Sequence, residues 1–576
     1  MTMCLSGYDR RLYTPCNGCQ LNCLGPLAEE QVTAVSKEKV LNVLGGAASK
    51  LRREPGESLA AVEKYNAPLE QVTTSSLEAL KAYSQGMKTY GEKGPAPALA
   101  YHQRAIQLDP NFAMGYSAVG GDYASLDEVG RASEYFTKEF RMREHASERE
   151  KLAITAHFYA IVTGELDKAA QTFQEEIESY PREAGAYVNL AVLYASRGQY
   201  EKAAEICRQA MRLAADRDNA FANLAHYSLA LQHFDEARQI IHGAQVQRID
   251  DFYFHNVLYA LAFLGADSAA MSEQQKWYAD RPQFESWGLA LESDTEGYGG
   301  HLGKARELTK RAVDSAIRAD NKENGAIFQA IAAQREAAYG NAPEARQTAA
   351  KALKLAPASL GAESEAALAF AMAGDTSRAE SLAQDLGKRF PLDTQMQSHW
   401  LPVIQAKLAL DRKNPASALN APQAASPSEL GQIWFVINIS CLYPVYVRGE
   451  AHLAAGQGSA AAAEFQKILD HGGIVWNCWT GALAHLGLAR ANTIQGNIAK
   501  PRRLIRISSR CGKTPTPISL SSNKRKRNTR SHSRYVTGLG NVSFCTRSTG
   551  QRLSVVIRRT NFPVARQTAG IGCKYR

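Results

Sequence analysis

The feature that most limits what this chain can fold into is a residue pattern that repeats every 34 positions. Ala169, Ala203 and Ala237 recur at that spacing, as do Tyr187 and Phe221, Leu190 and Leu224, and Ala191 and Ala225. A fixed period of roughly 20 to 50 residues marks an array of small supersecondary units, each unable to bury its apolar face alone. Within one unit, Tyr187, Leu190, Ala191 and Tyr194 share one face of a first helix, Gly198 ends it, and Ala203, Cys207 and Ala210 line a second helix. The alanines let two antiparallel helices approach closely, and the aromatic residues fill the groove between neighbouring hairpins.

The same grammar appears upstream at Ala98, Ala105 and Pro110, then at Tyr116, Gly120, Tyr123, Ala132 and Phe136. It weakens downstream, where Ala345 and Ala379 and the prolines Pro357 and Pro391 keep the spacing, and Ala461, Phe465, Leu486 and Gly487 suggest two last units. The spacing predicts about ten hairpins. Composition agrees, because Ala, Leu, Glu, Gln, Lys and Arg dominate the middle of the chain and lose least on entering a helix.

These residues resemble the tetratricopeptide repeat (TPR) family over roughly 77–499. The resemblance implies an all-α, TPR-type helical-hairpin solenoid, a right-handed superhelix with irregular or disordered termini. A narrower resemblance, carried by Pro68–Tyr83, Tyr187–Tyr194 and Gly303–Ala316, is to the C-terminal TPR region of bacterial receptor-type serine/threonine kinases. It implies a sensing or docking role. The sequence departs from those proteins in having no glycine-rich phosphate loop with a strand lysine, no His-Arg-Asp loop and no Asp-Phe-Gly.

Charge divides the chain at Lys500. Residues 501–576 carry 18 Lys and Arg and no acid, leaving 49 basic against 57 acidic groups before them, net −8. The overall charge of +10 therefore belongs to the tail and is no sign of a nucleic-acid-binding array. Two readings of the tail compete: a disordered basic arm, with Lys524 to Arg527 able to neutralise phosphates, or the product of a shifted reading frame. The second also explains the truncated last repeat and is preferred. At the other end Cys16, Cys19 and Cys23 have short spacing that suits zinc but lack a fourth ligand nearby, so an irregular start is expected. Cys207, Cys441 and Cys478 are scattered singly, where a cysteine is usually a small buried hydrophobe. The most apolar run, Ile433 to Val447, is interrupted by Asn438, Ser440 and Pro444 and falls short of the roughly 20 residues needed to span a bilayer.

The expected organisation is an irregular start (1–27), a helical lead-in (28–76), a well-formed array (77–250), degenerate repeats (251–430), terminal TPR-like hairpins (431–500) and a basic tail (501–576). The expected function is a protein-binding scaffold or sensor region, with no catalytic residue, no cofactor, no metal and no small-molecule substrate. The alternatives are a regulatory fragment of a kinase and nucleic-acid binding through the tail, the latter disfavoured; the compartment is cytoplasmic by default. Histidines such as His102, His157, His226 and His255 read as partly exposed helix residues, and Glu175 and Glu176 as a solvated face. The concave surface is expected to bind the partner through Asn189 and Asn223, equivalent positions whose amides can donate to and accept from a peptide backbone, with Val192 and His226 alongside. Tyr187, Leu190, Ala191, Tyr194, Ala203, Ala210, Phe221, Leu224, Ala225 and Ala237 are expected to pack the repeats.

Overall fold

A computed structural model describes residues 74–214, 218–421 and 427–496, with short pieces at 2–7, 28–33, 43, 46–47, 516–517 and 543–544. Helices run in pairs: α1 (Leu77–Lys93) with α2 (Pro95–Leu108), α3 (Ala113–Ser125) with α4 (Val129–Arg141), α5 (Glu148–His157) with α6 (Leu166–Ser179), and α7 (Ala184–Ala195) with α8 (Tyr200–Leu213). Next come α9 (Asp218–Ala230) with α10 (Phe234–Val246), α11 (Phe252–Gly265) with α12 (Ser268–Ala279), and α13 (Glu285–Tyr298) with α14 (Leu302–Arg318). Then follow α15 (Lys322–Ala338) with α16 (Ala342–Leu355), α17 (Leu360–Met372) with α18 (Thr376–Arg389), α19 (Leu401–Asp411) with α20 (Pro415–Asn420), and α21 (Tyr443–Ala454) with α22 (Gly458–Asp470). A single turn, α23 (Gly472–Val475), leads into α24 (Trp479–Ile494).

Local sequence explains the pairing. A residue at positive φ follows the first helix of most pairs, supplied by Gly198, Gly340, Gly374 and Gly456 and elsewhere by Asp127 or Gln232. That left-handed residue stops the helix and reverses the chain. Between the paired helices a small residue meets an aromatic one: a Cβ added at Gly120 would lie 3.1 Å from the Phe136 ring. All ten residues expected to pack the repeats sit on these helices, and nine are buried; Tyr187 is half-buried, its hydroxyl donating to the Pro181 carbonyl.

First helices touch first helices, as α7 does α9, α9 does α11 and α15 does α17, while second helices make no comparable contact with one another. The row therefore bends with its first helices inside. Burial follows: α17 is buried without a break from Gly361 to Ala371, whereas in α18 only Ala379 and Leu386 are buried. An outer helix needs one apolar stripe, and an inner helix here has protein on both sides.

The bend carries the chain round until later hairpins rest on earlier ones. Asn321 and Asn324, at the start of α15, both donate to the Leu126 carbonyl at 3.2 Å, and Gly130 N–H donates to Glu323 at 3.0 Å. Further on, the Thr394 amide donates to the Gly164 carbonyl, and the Gln232 amide donates to the Asp470 carbonyl. Turns of one coil thus meet helix starts of the next. Asp127 is buried in this contact under the Tyr253 hydroxyl, and burial raises its carboxyl well above the ordinary range despite that hydrogen bond; the same cause lifts Glu128 to about 7 against the opposing pull of Arg131.

Several expectations change. Residues 28–33, read as the start of a helical lead-in, pair antiparallel with Thr2–Gly7 as strands, an extended form that suits β-branched Val32 and Thr33. Residues 427–442 are an irregular strap, so the terminal hairpin begins at Tyr443 and not at 431; the run Ile433, Val436, Ile437 and Ile439 is poor helix material and has no polar face. Cys441 and Cys478 are joined in a disulfide, while Cys207 is the buried apolar thiol expected. A further change, in the histidines, appears below. Cys16, Cys19, Cys23 and the basic arm with Lys524 to Arg527 lie outside the described residues.

The coil-to-coil contact gives a direct test. A Cβ at Gly473 would collide with the Leu229 carbonyl of the earlier coil, while one at Gly303 would meet open space. Gly473→Ala is expected to destabilise by about 1–3 kcal/mol through overpacking, and Gly303→Ala, in the first turn of α14 with open space around it, to stabilise by about 0.5 kcal/mol or less. Urea unfolding of the two variants against the parent measures both.

Candidate functional site

The inner groove of the coil is where a solenoid of this kind presents its concave surface, and here it holds a segment of the same chain. Strap residues Ile433, Phe435, Val436, Ile437, Ile439 and Leu442 are all buried and join the main core. Phe435 stacks on Trp400 and fills the space that a Cβ at Gly361 would need. The strap is also pinned through its backbone. Gln432 N–H donates to the Ala195 carbonyl at 3.0 Å, Tyr200 hydroxyl donates to the Leu430 carbonyl at 2.6 Å, and Gln395 donates to the Gln432 carbonyl at 2.7 Å. Near one end Glu429 is held by Arg448 and Lys467; at the other, Thr480 hydroxyl donates to the Cys441 carbonyl at 2.7 Å. Each bond satisfies a strap group that has left water, which is the condition for burying an irregular segment.

The most informative contact comes from Asn256. It lies in α11 one position before the place that Asn189 holds in α7 and Asn223 in α9, ten residues ahead of the left-handed Ala266 where those two stand nine ahead of Gly198 and Gln232. Its Nδ2 donates to the Ile437 carbonyl at 3.2 Å. Its Oδ1 lies 3.1 Å from Nε2 of His226, so Oδ1 accepts and the imidazole carries its proton on Nε2. Burial lowers the His226 pKa, which keeps the ring neutral, and His226 orients the asparagine from behind without facing the groove. Asn189 and Val192 are half-buried on α7, Asn189 3.3 Å from His157, and Asn223 is half-buried on α9. The inner helices α7, α9 and α11 thus each carry an asparagine, and the one on α11 holds a backbone carbonyl of the strap where the strap bends between Ile433 and Ile439.

Of the other histidines named from the sequence, His102 and His255 are buried where partial exposure was expected, and His157 is half-buried. His102 bonds Asp122 at 2.6 Å, His255 bonds Gln274 at 2.7 Å, and His157 faces the buried Glu139. Glu176, expected in solvent beside Glu175, is buried near His157, and burial lifts its carboxyl to about 7. The histidines share one reason: each side chain spans the gap to a neighbouring helix, so its ring finds a partner inside the array. Their partners lie mostly about 20 to 30 residues away, a spacing that no short motif reveals.

A buried polar cluster lies beneath the strap. Arg335 donates to Asp294 at 2.7 Å and to the hydroxyls of Ser293 and Thr309 at 3.0 Å, and Ile437 lines a small cavity against Ser293, Asp294 and Thr309. Burial raises Asp294 to about 6, with Arg335 opposing. Glu365, fully buried, accepts from the Tyr443 hydroxyl at 3.1 Å and from the Gln334 amide, and burial still lifts it to about 8. A carboxyl raised this way binds more protons folded than unfolded, so its contribution is complete below about 4.5 and is lost as pH rises through about 8. Glu365→Gln is expected to change stability at pH 5 by less than about 1 kcal/mol and to raise it at pH 8.5 by roughly 4 kcal/mol. Urea titrations at the two pH values give the comparison; an equal effect at both would contradict this origin of the pH dependence.

The paired helices, their left-handed turns and the small-against-aromatic packing at a 34-residue interval decide the architecture. The chain is a TPR-type helical solenoid. No family model matches its sequence, and no curated protein matches it. Among solved structures it is similar to PilW, a type IV pilus biogenesis factor (14% identity over 36% of this chain and 94% of that one, TM-score 0.26). It is also similar to PilF of Pseudomonas aeruginosa (15%, 36% and 95%, 0.24) and to a tetratricopeptide repeat protein of Parabacteroides merdae (14%, 60% and 98%, 0.20). Among the described residues of the solenoid no helix is long and apolar enough to cross a membrane.

Proposed function

We propose that the solenoid is a protein-binding scaffold that takes a polypeptide segment along Asn189 and Asn223, beside its own strap. The observation that carries this reading is the Asn256 amide on the Ile437 carbonyl. A peptide backbone offers the same carbonyl whatever its sequence, so asparagines on the inner helices can hold a bound backbone while side-chain pockets add selectivity. Val192, half-buried on α7 between the two asparagines, offers apolar contact. His226 serves the strap contact indirectly, by fixing the amide of Asn256.

Selection of peptides from a random display library against the full chain tests the proposal. Enriched peptides are expected to lose about tenfold in affinity in the Asn189→Ala, Asn223→Ala double variant, from two hydrogen bonds of about 1 kcal/mol each partly replaced by water. Lys351→Ala, on the exposed face of α16, is expected to leave their affinity unchanged. Peptides indifferent to both asparagines, or none enriched, would sink the reading.

A further inference from the structure

Cys441 is the last strap residue but one, and Cys478 stands immediately before α24; the disulfide between them closes a loop around the whole α21–α22 hairpin. Both cysteines are buried, at 4% and 3% exposure. They sit in a wall where strap and α24 are already joined: the side-chain amide of Asn438 donates to that of Asn477, Thr480 bonds the Cys441 carbonyl, and Tyr443 stacks on Trp479. Cys207 shows the contrast. It too is buried, but its thiol donates to the Ala220 carbonyl at 3.0 Å, burial raises its pKa to about 12, and it stays free.

We propose that the Cys441–Cys478 bond is a maturation step made in a thiol-oxidising compartment, and that it fastens the strap into the groove for the life of the protein. Formation requires a disulfide donor, a protein or small molecule carrying a reactive S–S bond. One cysteine thiolate attacks the donor to give a mixed disulfide, and the second cysteine displaces the donor's remaining sulfur. The two cysteines lose two protons and two electrons, and the donor leaves as two thiols. Thiol-reducing systems of the cytosol oppose this reaction, whereas secretory and periplasmic spaces favour it. Cytoplasmic residence, expected by default from the sequence, gives way in this proposal to an oxidising compartment. Once formed, the bond is shielded from reductants by its own burial, so it acts as a permanent fastening and not as a switch.

The test uses full-length protein isolated from its own cells, alkylated with N-ethylmaleimide in denaturant without reductant, then digested and weighed. The expected result is a linked pair of peptides containing Cys441 and Cys478, with Cys207 alkylated. Separate alkylated peptides for Cys441 and Cys478 would overturn the proposal. The fastening role is read separately, by chymotrypsin cleavage after Trp434 and Phe435 in the native state. The Cys441→Ala, Cys478→Ala double variant is expected to be cut at least tenfold faster than the parent, and Cys207→Ala at the parent rate. An unchanged rate in the double variant would remove that role, and if the variant does not fold the mass measurement still decides whether the bond forms. Neither arm depends on the peptide ligand proposed above.

Discussion

The burial of an irregular apolar strap in the groove of the coil is the interaction on which the rest of the structure leans. A hairpin array leaves its inner helices with one wet face, and a strap of Ile, Phe and Val residues covers that face here. The inner helices can then be apolar all round, as α17 is, without exposing a surface that would associate with other chains. The strap has a backbone to satisfy, and the array supplies the partners: the Ala195 carbonyl, the Tyr200 hydroxyl and the amides of Gln395 and Asn256. Removing any of these would leave a buried carbonyl or amide without a partner, at a cost of about 1–3 kcal/mol.

The same covering explains the number of buried ionisable groups. When coil meets coil at Leu126 to Arg131 and Asp320 to Asn324, Asp127, Glu128 and Glu323 come out of water, Arg131 serving as cation for Glu128 and Glu323 and the Tyr253 hydroxyl as donor to Asp127. Their raised carboxyls mean that this contact is held more firmly at mildly acid than at alkaline pH, in the same direction as Glu365 beneath the strap. Asp294 is the better compensated case, because Arg335 reaches it directly and uses its other nitrogens on Ser293 and Thr309.

Much of the array was legible because it is periodic. The interval from Ala169 to Ala237 and the match of Tyr187 to Phe221 identify hairpins without any alignment, and Asn189 and Asn223 stand out as polar residues kept at one place in that period. Asn256 falls one position off that period, 33 residues after Asn223, with Val257 where the two asparagines stand, so the spacing does not single it out. The strap was visible only as the most apolar run in the chain, and an apolar run without a period does not say what it packs against. His102, His226 and Glu176 were misjudged because their partners lie on other helices. Cys441 and Cys478 were read apart because 37 residues of helical sequence separate them.

The central claim, that the groove is filled by the chain's own strap, is tested most directly by native-state hydrogen exchange. The amides of Gln432 and Ile433 donate to Ala195 and Ile439, inside the coil. In the full-length protein they are expected to exchange as slowly as amides in the middle of α7, opening only with the coil itself. Exchange of both amides within seconds, while α7 remains protected, would show that the strap does not occupy the groove and would contradict the account.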